Sequence, residues 1–133
     1  MKKTFNEVME ADIMVGGLYK KNPDLRDTKF GYAWKRFYEK NIAPTLKEYR
    51  AEIEDAHITH ALEDKETGKI LTDKENSRGY SYSKDGLKTV IKAEKEISEK
   101  YDGKEIEITP FISTYVPEGL TEEQTEMLTG SVL

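Results

Sequence analysis

Two histidines stand three residues apart in His57-Ile58-Thr59-His60, and Glu54 lies one turn ahead of His57. Helix positions three or four apart share a face, so His57, His60 and Glu54 are the candidate metal ligands. Zinc requires three or four such ligands converging at roughly 2.0–2.2 Å. Glu63 or Asp64 would have to complete the set. The carboxylate precedes the histidine pair instead of lying inside it, so the spacing is not that of a His-Glu-x-x-His metalloprotease helix. The plainer reading is that His60 half-buries on an apolar stripe and His57 faces solvent. No metal and no cofactor is expected on that basis. Glu52 with Asp55, and Glu63 with Asp64, are the pairs that acid–base catalysis would draw on. Such chemistry needs two carboxyls beside a cleft, in environments that drive their pKa values apart. No cleft is legible beside them, and a charged helical face accounts for both pairs. Gly16-Gly17 has no strand before it and no Gly-Lys-Ser/Thr after it, so it is not a phosphate loop. The chain carries no enzyme signature and reads as non-enzymatic.

These residues must be positioned by the stretch from Thr28 to Asp64. Asp27 or Thr28 supplies an N-cap oxygen. Phe30, Trp34 and Phe37 (or Tyr38), then Ile42, Leu46, Tyr49, Ile53, Ala56 and His60, recur at helical spacing as one apolar stripe. The phase slips between Phe37 and Ile42, just ahead of Pro44. A proline inside a helix costs roughly 3 kcal/mol through its missing amide and its clash with the preceding turn. One long helix kinked near Asn41–Pro44 is therefore expected, in preference to two helices.

At 133 residues, with 36% hydrophobic and 35% charged side chains, the chain has material for one modest core, and a single domain is expected over 1–133. The absence of cysteine excludes disulfides, thiolate metal sites and cysteine nucleophiles. No apolar run approaches the ~20 residues of a membrane span. The basic start, Met1-Lys2-Lys3, is followed by glutamates instead of an apolar segment, so neither a signal peptide nor a membrane partner is expected. A net charge of −5 argues against general binding to a phosphate backbone.

In chain order, residues 1–27 read as a helical lead and linker. A short helix runs from Thr4 to Val15 with Phe5, Val8, Met9 and Ile13, and at its margin Asp12, on its inner side. Thr4 and Glu7 form a capping box, and Gly16-Gly17 is the expected stop. After the central helix (28–64), residues 65–116 read as hairpin, helix and strand. Residues 69–72 and 79–82 are the two arms of a small β-hairpin. Ser83 caps a second solid helix whose inner face is Leu87, Val90, Ile91, Ala93 or Glu94, Ile97 and Tyr101, and Asp102-Gly103 ends it. Glu105-Ile106-Glu107-Ile108 alternates with period two and is the natural third strand for the hairpin. Phe111–Val116 is extended again beyond Pro110, as an edge. The tail, 117–133, contains a short helix from Thr121 to Leu128, with Gln124 three residues into it, and an end disordered unless docked. The fold class is α+β and α-rich: a long kinked helix packed with a second helix and a small antiparallel sheet of two to three strands.

Lys29, Lys35, Arg36, Lys40, Lys47 and Arg50 form one basic section interleaved with aromatics. Basic and stacking side chains together would suit nucleic acid, but Asp27, Glu39, Glu48 and Glu52 dilute the section. A solvated face accounts for it as well. The aromatic cluster from Phe30 to Tyr38 is more crowded than one inner face needs. Aromatics concentrate where proteins meet proteins. Tyr32, Trp34 and Tyr38, the edge residues Phe111 and Tyr115, and the tail residues Met127 and Leu128 are thus the candidate partner-binding set.

The order of elements, with Asp27-Thr28-Lys29-Phe30, Leu62-Glu63-Asp64-Lys65-Glu66-Thr67-Gly68 and Lys104-Glu105-Ile106-Glu107-Ile108, resembles small tailed-bacteriophage proteins of unknown function. The resemblance covers architecture and carries over no functional residue. It implies a phage protein that acts by binding, in the cytoplasm of the infected host or in the virion. The expected function is contact with a protein partner, phage or host, or with further copies of itself, as a virion component or assembly factor. The alternative is an acidic counter-defence inhibitor that occupies the basic channel of a host nuclease or binds another immune protein. Such an inhibitor needs one contiguous acidic face, whereas an assembly protein needs an apolar or self-complementary one.

Overall fold

Asn22-Pro23 marks the first place where local chemistry overrides the expected boundaries. A residue before proline is pushed out of helical geometry, and Asn22 sits at φ −140°, ψ 88°. The computed structural model describes residues 1–133, in which helix α1 (Phe5–Lys21) runs straight through Gly16-Gly17 and ends only at Asn22, whose amide donates to Leu18 O at 3.0 Å. This corrects the stop expected at the glycines: their φ values are not positive, so nothing there closes the helix. The Thr4–Glu7 capping box is present, with Glu7 N donating to Thr4 Oγ1 at 3.2 Å and Thr4 N to Glu7 Oε1 at 3.0 Å. Donation to the Glu7 carboxylate by the Thr4 amide and, at 3.1 Å, by the Thr4 hydroxyl holds that carboxyl below the usual carboxylate range. Phe5, Val8, Ala11 and Val15 form the buried stripe. Ile13, expected among them, is 73% exposed, because it lies two residues from both Ala11 and Val15 and so on the opposite face.

An added Cβ at Gly17 would meet nothing within 4 Å. Alanine is favoured over glycine in a helix interior by about 1 kcal/mol. Gly17→Ala should therefore raise the stability of the protein by about that amount, read as a shift of the urea midpoint followed by fluorescence of Trp34, the single tryptophan.

The chain is a helix-rich α+β protein whose backbone groups into two units, Met1–Leu46 with Asp102–Leu133, and Lys47–Tyr101. In the first unit, strand β1 (Lys2–Thr4) pairs antiparallel with β2 (Glu105–Glu107), Lys3 opposite Ile106. Phe5 N to Lys104 O at 2.8 Å and Ile108 N to Met1 O at 2.9 Å extend the pairing at both ends. The Glu/Ile strand is therefore not the third strand of a hairpin, as expected from sequence. The amino-terminal residues that lead into α1 already supply its ladder.

The long helix starts at Thr28, whose Oγ1 accepts from Gly31 N at 3.3 Å. It continues without interruption through α2 (Lys29–Phe37), a π-helical turn (Tyr38–Ile42) and α3 (Ala43–His60). Phe37 and Ile42, five residues apart, are both fully buried. Their spacing is the phase slip of the apolar stripe, and the π turn is its form: Ala43 N bonds Tyr38 O, five residues back. A wider turn immediately before Pro44 relieves the contact between a proline ring and the carbonyl of the preceding turn. The turn also aims Asn41 inward. Its Nδ2 donates to Phe37 O at 3.1 Å and Thr109 O at 2.8 Å, and its Oδ1 accepts from Thr109 N at 2.8 Å.

Beyond Thr109 the expected edge strand Phe111–Val116 has no regular ladder. Instead Phe111 N donates to Ser131 O and Ser113 N to Val132 O, both at 2.8 Å. Helix α5 (Glu122–Leu128) is capped by Thr121 and Gln124, as its sequence indicates. The tail is docked on its own chain, with Leu128 and Val132 fully buried and Ser131 2% exposed. Lys3 Nζ donates to Met127 O at 3.1 Å and Thr129 O at 3.4 Å, a cation on the carbonyl end of α5. Burial there lowers the Lys3 pKa, and Glu7 partly offsets this.

In the second unit, α3 from Lys47 onward runs antiparallel to α4 (Lys84–Asp102). Tyr49 meets Tyr101 edge-on at 5.3 Å, and Lys100 Nζ reaches Glu52 Oε1 at 2.6 Å. A hydrogen bond to the Glu52 carboxylate pushes the Tyr101 phenol up to about 12. Ser83 caps α4 by accepting from Gly86 N at 3.0 Å, and Val90 is fully buried, whereas Ile91 is 49% exposed. The hairpin expected at 69–82 is not a two-arm ladder. Leu62 N bonds Ser81 O, Leu71 N bonds Leu62 O and Ser81 N bonds Leu71 O, at 2.8–3.0 Å. Three segments thus close a ring of bonds, and only the isolated bridges Glu63–Ile70 and Thr72–Tyr80 form.

Candidate functional site

In the first unit, an open surface joins a basic helix face to aromatic side chains. Thr28 fixes the start of α2, and from there Lys29, Tyr32, Ala33 and Arg36 fall on one helix face by their spacing of three and four. The Asn41–Thr109 bonds and the docked tail hold residues 111–114 opposite that face. Between the two runs a groove of about 390 Å³. The Arg36 guanidinium lies 5.0 Å from the centre of the Phe111 ring and 6.0 Å from that of Tyr32. Stacked on aromatic faces, it keeps its in-plane donors available. Tyr32 is 62% exposed and Ile112 61%. Two cations line this groove and no carboxylate does.

The remaining candidate partner-binding residues are scattered. Trp34, 4% exposed, stacks on Phe37 at 5.0 Å and donates Nε1 to Asp12 Oδ1 at 3.1 Å, so it is core. Leu128 is also core, and Met127 is half-buried beside it in the last turn of α5. Tyr38 is half-buried and, with Trp34 and Tyr19, lines a separate groove of about 490 Å³ bounded by Asp12, Arg26, Lys35 and Glu39. Burial raises the Tyr19 phenol, while Arg26, 4.9 Å from its ring centre, pulls the other way. Tyr115 lies at a third groove, with Leu18, Leu25 and Pro117. Of the set, Tyr32 and Phe111 are the pair brought together on an open surface from distant parts of the chain. Arg36 joins them, and its signal in the sequence is its position four residues after Tyr32 on one helix face. The proximity of Phe111 has no sequence signal, because the tail and Asn41 create it.

In the second unit His57 is buried at 8%, contrary to the solvated position expected, and His60 is half-buried. His57 Nε2 lies 2.9 Å from Glu94 Oε2, and Nδ1 lies 3.9 Å from Glu54 Oε2. Glu54 also accepts from Tyr80 Oη, which raises the Tyr80 phenol. Arg78 forks onto Glu94, with Nη2 at 2.7 Å and Nε at 3.0 Å from Oε1. No three histidine or carboxylate side chains are arranged to hold a metal ion, and a cation, Arg78, already occupies the carboxylate nearest His57. The cluster therefore reads as a packing and charge network between α3 and α4.

Glu94 gives this network a pH signature. Burial acts to raise its carboxyl, but the Arg78 and His57 hydrogen bonds and charges outweigh it and hold the group below an ordinary glutamate's 4.5. A depressed folded-state value means stability is complete above the unfolded value and is lost as pH falls through the folded one. Glu94→Gln should cost about 1–2 kcal/mol near pH 7 and flatten the acid limb below about pH 4.5. Thermal melts by far-UV circular dichroism across pH 3–7 would show this, and equal slopes for both proteins would refute it.

Comparison with protein-family models, curated proteins and solved structures finds no match to this chain. No helix is long and apolar enough to cross a membrane.

Proposed function

We propose that the chain is a non-enzymatic protein that works by binding another protein. From the resemblance of its element order, we place it as a tailed-bacteriophage virion component or assembly factor, in the infected host's cytoplasm or in the virion. The observation that carries the binding reading is the Arg36-bridged pair Tyr32 and Phe111 with Ile112 exposed beside it. Tyrosine and arginine dominate binding hot spots, and an exposed aliphatic neighbour adds area that a partner would bury. The acidic-inhibitor alternative has less in its favour. Glu52, Glu54 and Glu94 are engaged within the second unit by Lys100, Tyr80 and Arg78 with His57, and are not offered as a bare acidic face.

The test is site-specific photo-crosslinking in phage-infected cells, with the reactive residue at Tyr32 and, as control, at exposed Glu66. A discrete protein adduct from position 32, absent from position 66 and reduced by Arg36→Glu, is the expected result. No adduct from position 32 would overturn the reading. Light scattering during size-exclusion chromatography separates the two forms of contact: a salt-resistant oligomer indicates self-assembly and a monomer a different partner.

A further inference from the structure

Resting on that protein-binding reading, we propose that the groove between α2 and residues 111–114 receives an extended acidic peptide segment of the partner. The segment would pair with the backbone of Ile112 and place its carboxylates on Lys29 and Arg36. The first observation is a backbone edge. Phe111 and Ser113 both turn their amides to the carboxy-terminal tail. Successive groups of an extended chain point to opposite sides, and the Ile112 N–H and C=O between them bond to nothing in the chain. Ile112 is 61% exposed, so this edge is open. An unpaired stretch of this kind is the template used in strand addition, where main-chain bonds supply affinity and alternate side chains supply specificity.

The second observation is charge. The protein as a whole carries −5, yet the groove is lined by two cations and no anion. Neither Lys29 nor Arg36 takes part in an ion pair. Arg36 is instead held over Phe111 and Tyr32, which orients a guanidinium edge for a carboxylate without a rearrangement on binding. A helix docked in the groove would leave the Ile112 backbone unpaired, and a basic or neutral strand would leave the cations unpaired. An extended segment with alternating acidic and aliphatic residues satisfies both. At about 3.3 Å per residue, the run 111–113 ahead of the bend at Thr114 accommodates roughly three peptide residues.

The probe is the peptide acetyl-Glu-Ile-Asp-Val-Glu-amide, titrated into the 15N-labelled full chain and followed by amide chemical shifts. Shifts centred on Ile112, Thr114, Tyr32 and Arg36 are expected, weakened about tenfold or more by Arg36→Glu. Lys29→Glu is the second variant: its side chain is exposed, so it keeps the test open if Arg36→Glu fails to fold. The same peptide N-methylated at its central residue should bind more weakly, because backbone pairing is blocked. An analogue with lysine at the three acidic positions should not shift these amides. Equal binding of acidic and basic peptides, shifts located elsewhere, indifference to N-methylation, or no shift at millimolar peptide overturns the proposal. A self-association constant that accounts for the shifts also overturns it, in favour of a second copy. Adducts from position 32 in cells together with no peptide binding would leave the protein-contact reading standing and remove only this one.

Discussion

Replacing Asn41 with leucine is expected to destabilise the first unit by about 3 kcal/mol. The side chain is 4% exposed and makes three bonds to backbone: one to Phe37 O and a reciprocal pair with Thr109 N and O. Leucine fills similar space, so the cost is not a cavity. It comes from removing one side of each bond and leaving the backbone groups of Phe37 and Thr109 to find other partners. Each net hydrogen bond is worth roughly 1 kcal/mol, and an orphaned buried group costs 1–3 kcal/mol, partly offset by the added apolar burial. Because Thr109 immediately precedes the segment that bears Phe111 and Ile112, a second effect follows on the groove. Binding of the acidic peptide should weaken even at temperatures where the variant is folded. Urea unfolding followed by Trp34 fluorescence gives the first quantity. A midpoint within experimental error of wild type would mean that the Asn41 bonds contribute nothing net and that the π turn is set by Pro44 and apolar packing alone.

Asn41 also shows where sequence reasoning reached and where it stopped. The helix starts were legible because a cap is a local event: Thr4, Thr28, Ser83 and Thr121 all accept the expected first-turn amide. The stripe from Phe30 to Leu46 and its slip between Phe37 and Ile42 were equally visible, since burial follows spacing. The slip did not reveal its form. A kink and a π turn displace the apolar phase alike, and only the bond from Ala43 to Tyr38 distinguishes them. Strand pairing is not legible locally, because a ladder is a long-range event. Lys2–Thr4 has no alternation to mark it as a strand, so nothing in the sequence points Glu105–Glu107 away from the nearer hairpin candidates and towards the partner it has. Leu128, a candidate for partner contact by sequence, is fully buried in its own chain, because apolarity does not say whose core a side chain joins. In the candidate site, the sequence marks Tyr32 and Phe111 only individually. Their meeting through Arg36 depended on tail docking and on Asn41, neither of which leaves a mark near residue 111.

Gly31 and Gly17 should respond to the same substitution with opposite signs. Both lie within helices at ordinary negative φ, so propensity alone favours alanine at each by about 1 kcal/mol. At Gly31 an added Cβ would stand 2.4 Å from Arg26 O and 2.6 Å from Leu25 O. These are backbone atoms of the 3-10 turn Pro23–Asp27, and Thr28 Oγ1 holds that turn by donating to Leu25 O at 2.6 Å. No rotamer change relieves a clash with backbone, so the turn or the start of α2 must move by several tenths of an ångström or more. Overpacking of this kind costs 1–3 kcal/mol and sometimes more. Contacts this close to backbone put the strain at the upper end of that range, so Gly31→Ala should destabilise the protein by about 2 kcal/mol after the propensity gain is set against it. The movement would fall on the first turn of α2, which carries Lys29 and Tyr32, so the substitution tests the groove as well. The peptide shifts at Tyr32 should diminish, while Gly17→Ala, with open space around its Cβ, should leave them unchanged. If Gly31→Ala proved as stabilising as Gly17→Ala, the close approach of the 3-10 turn to α2 would be wrong, and with it the placement of the groove's helical wall.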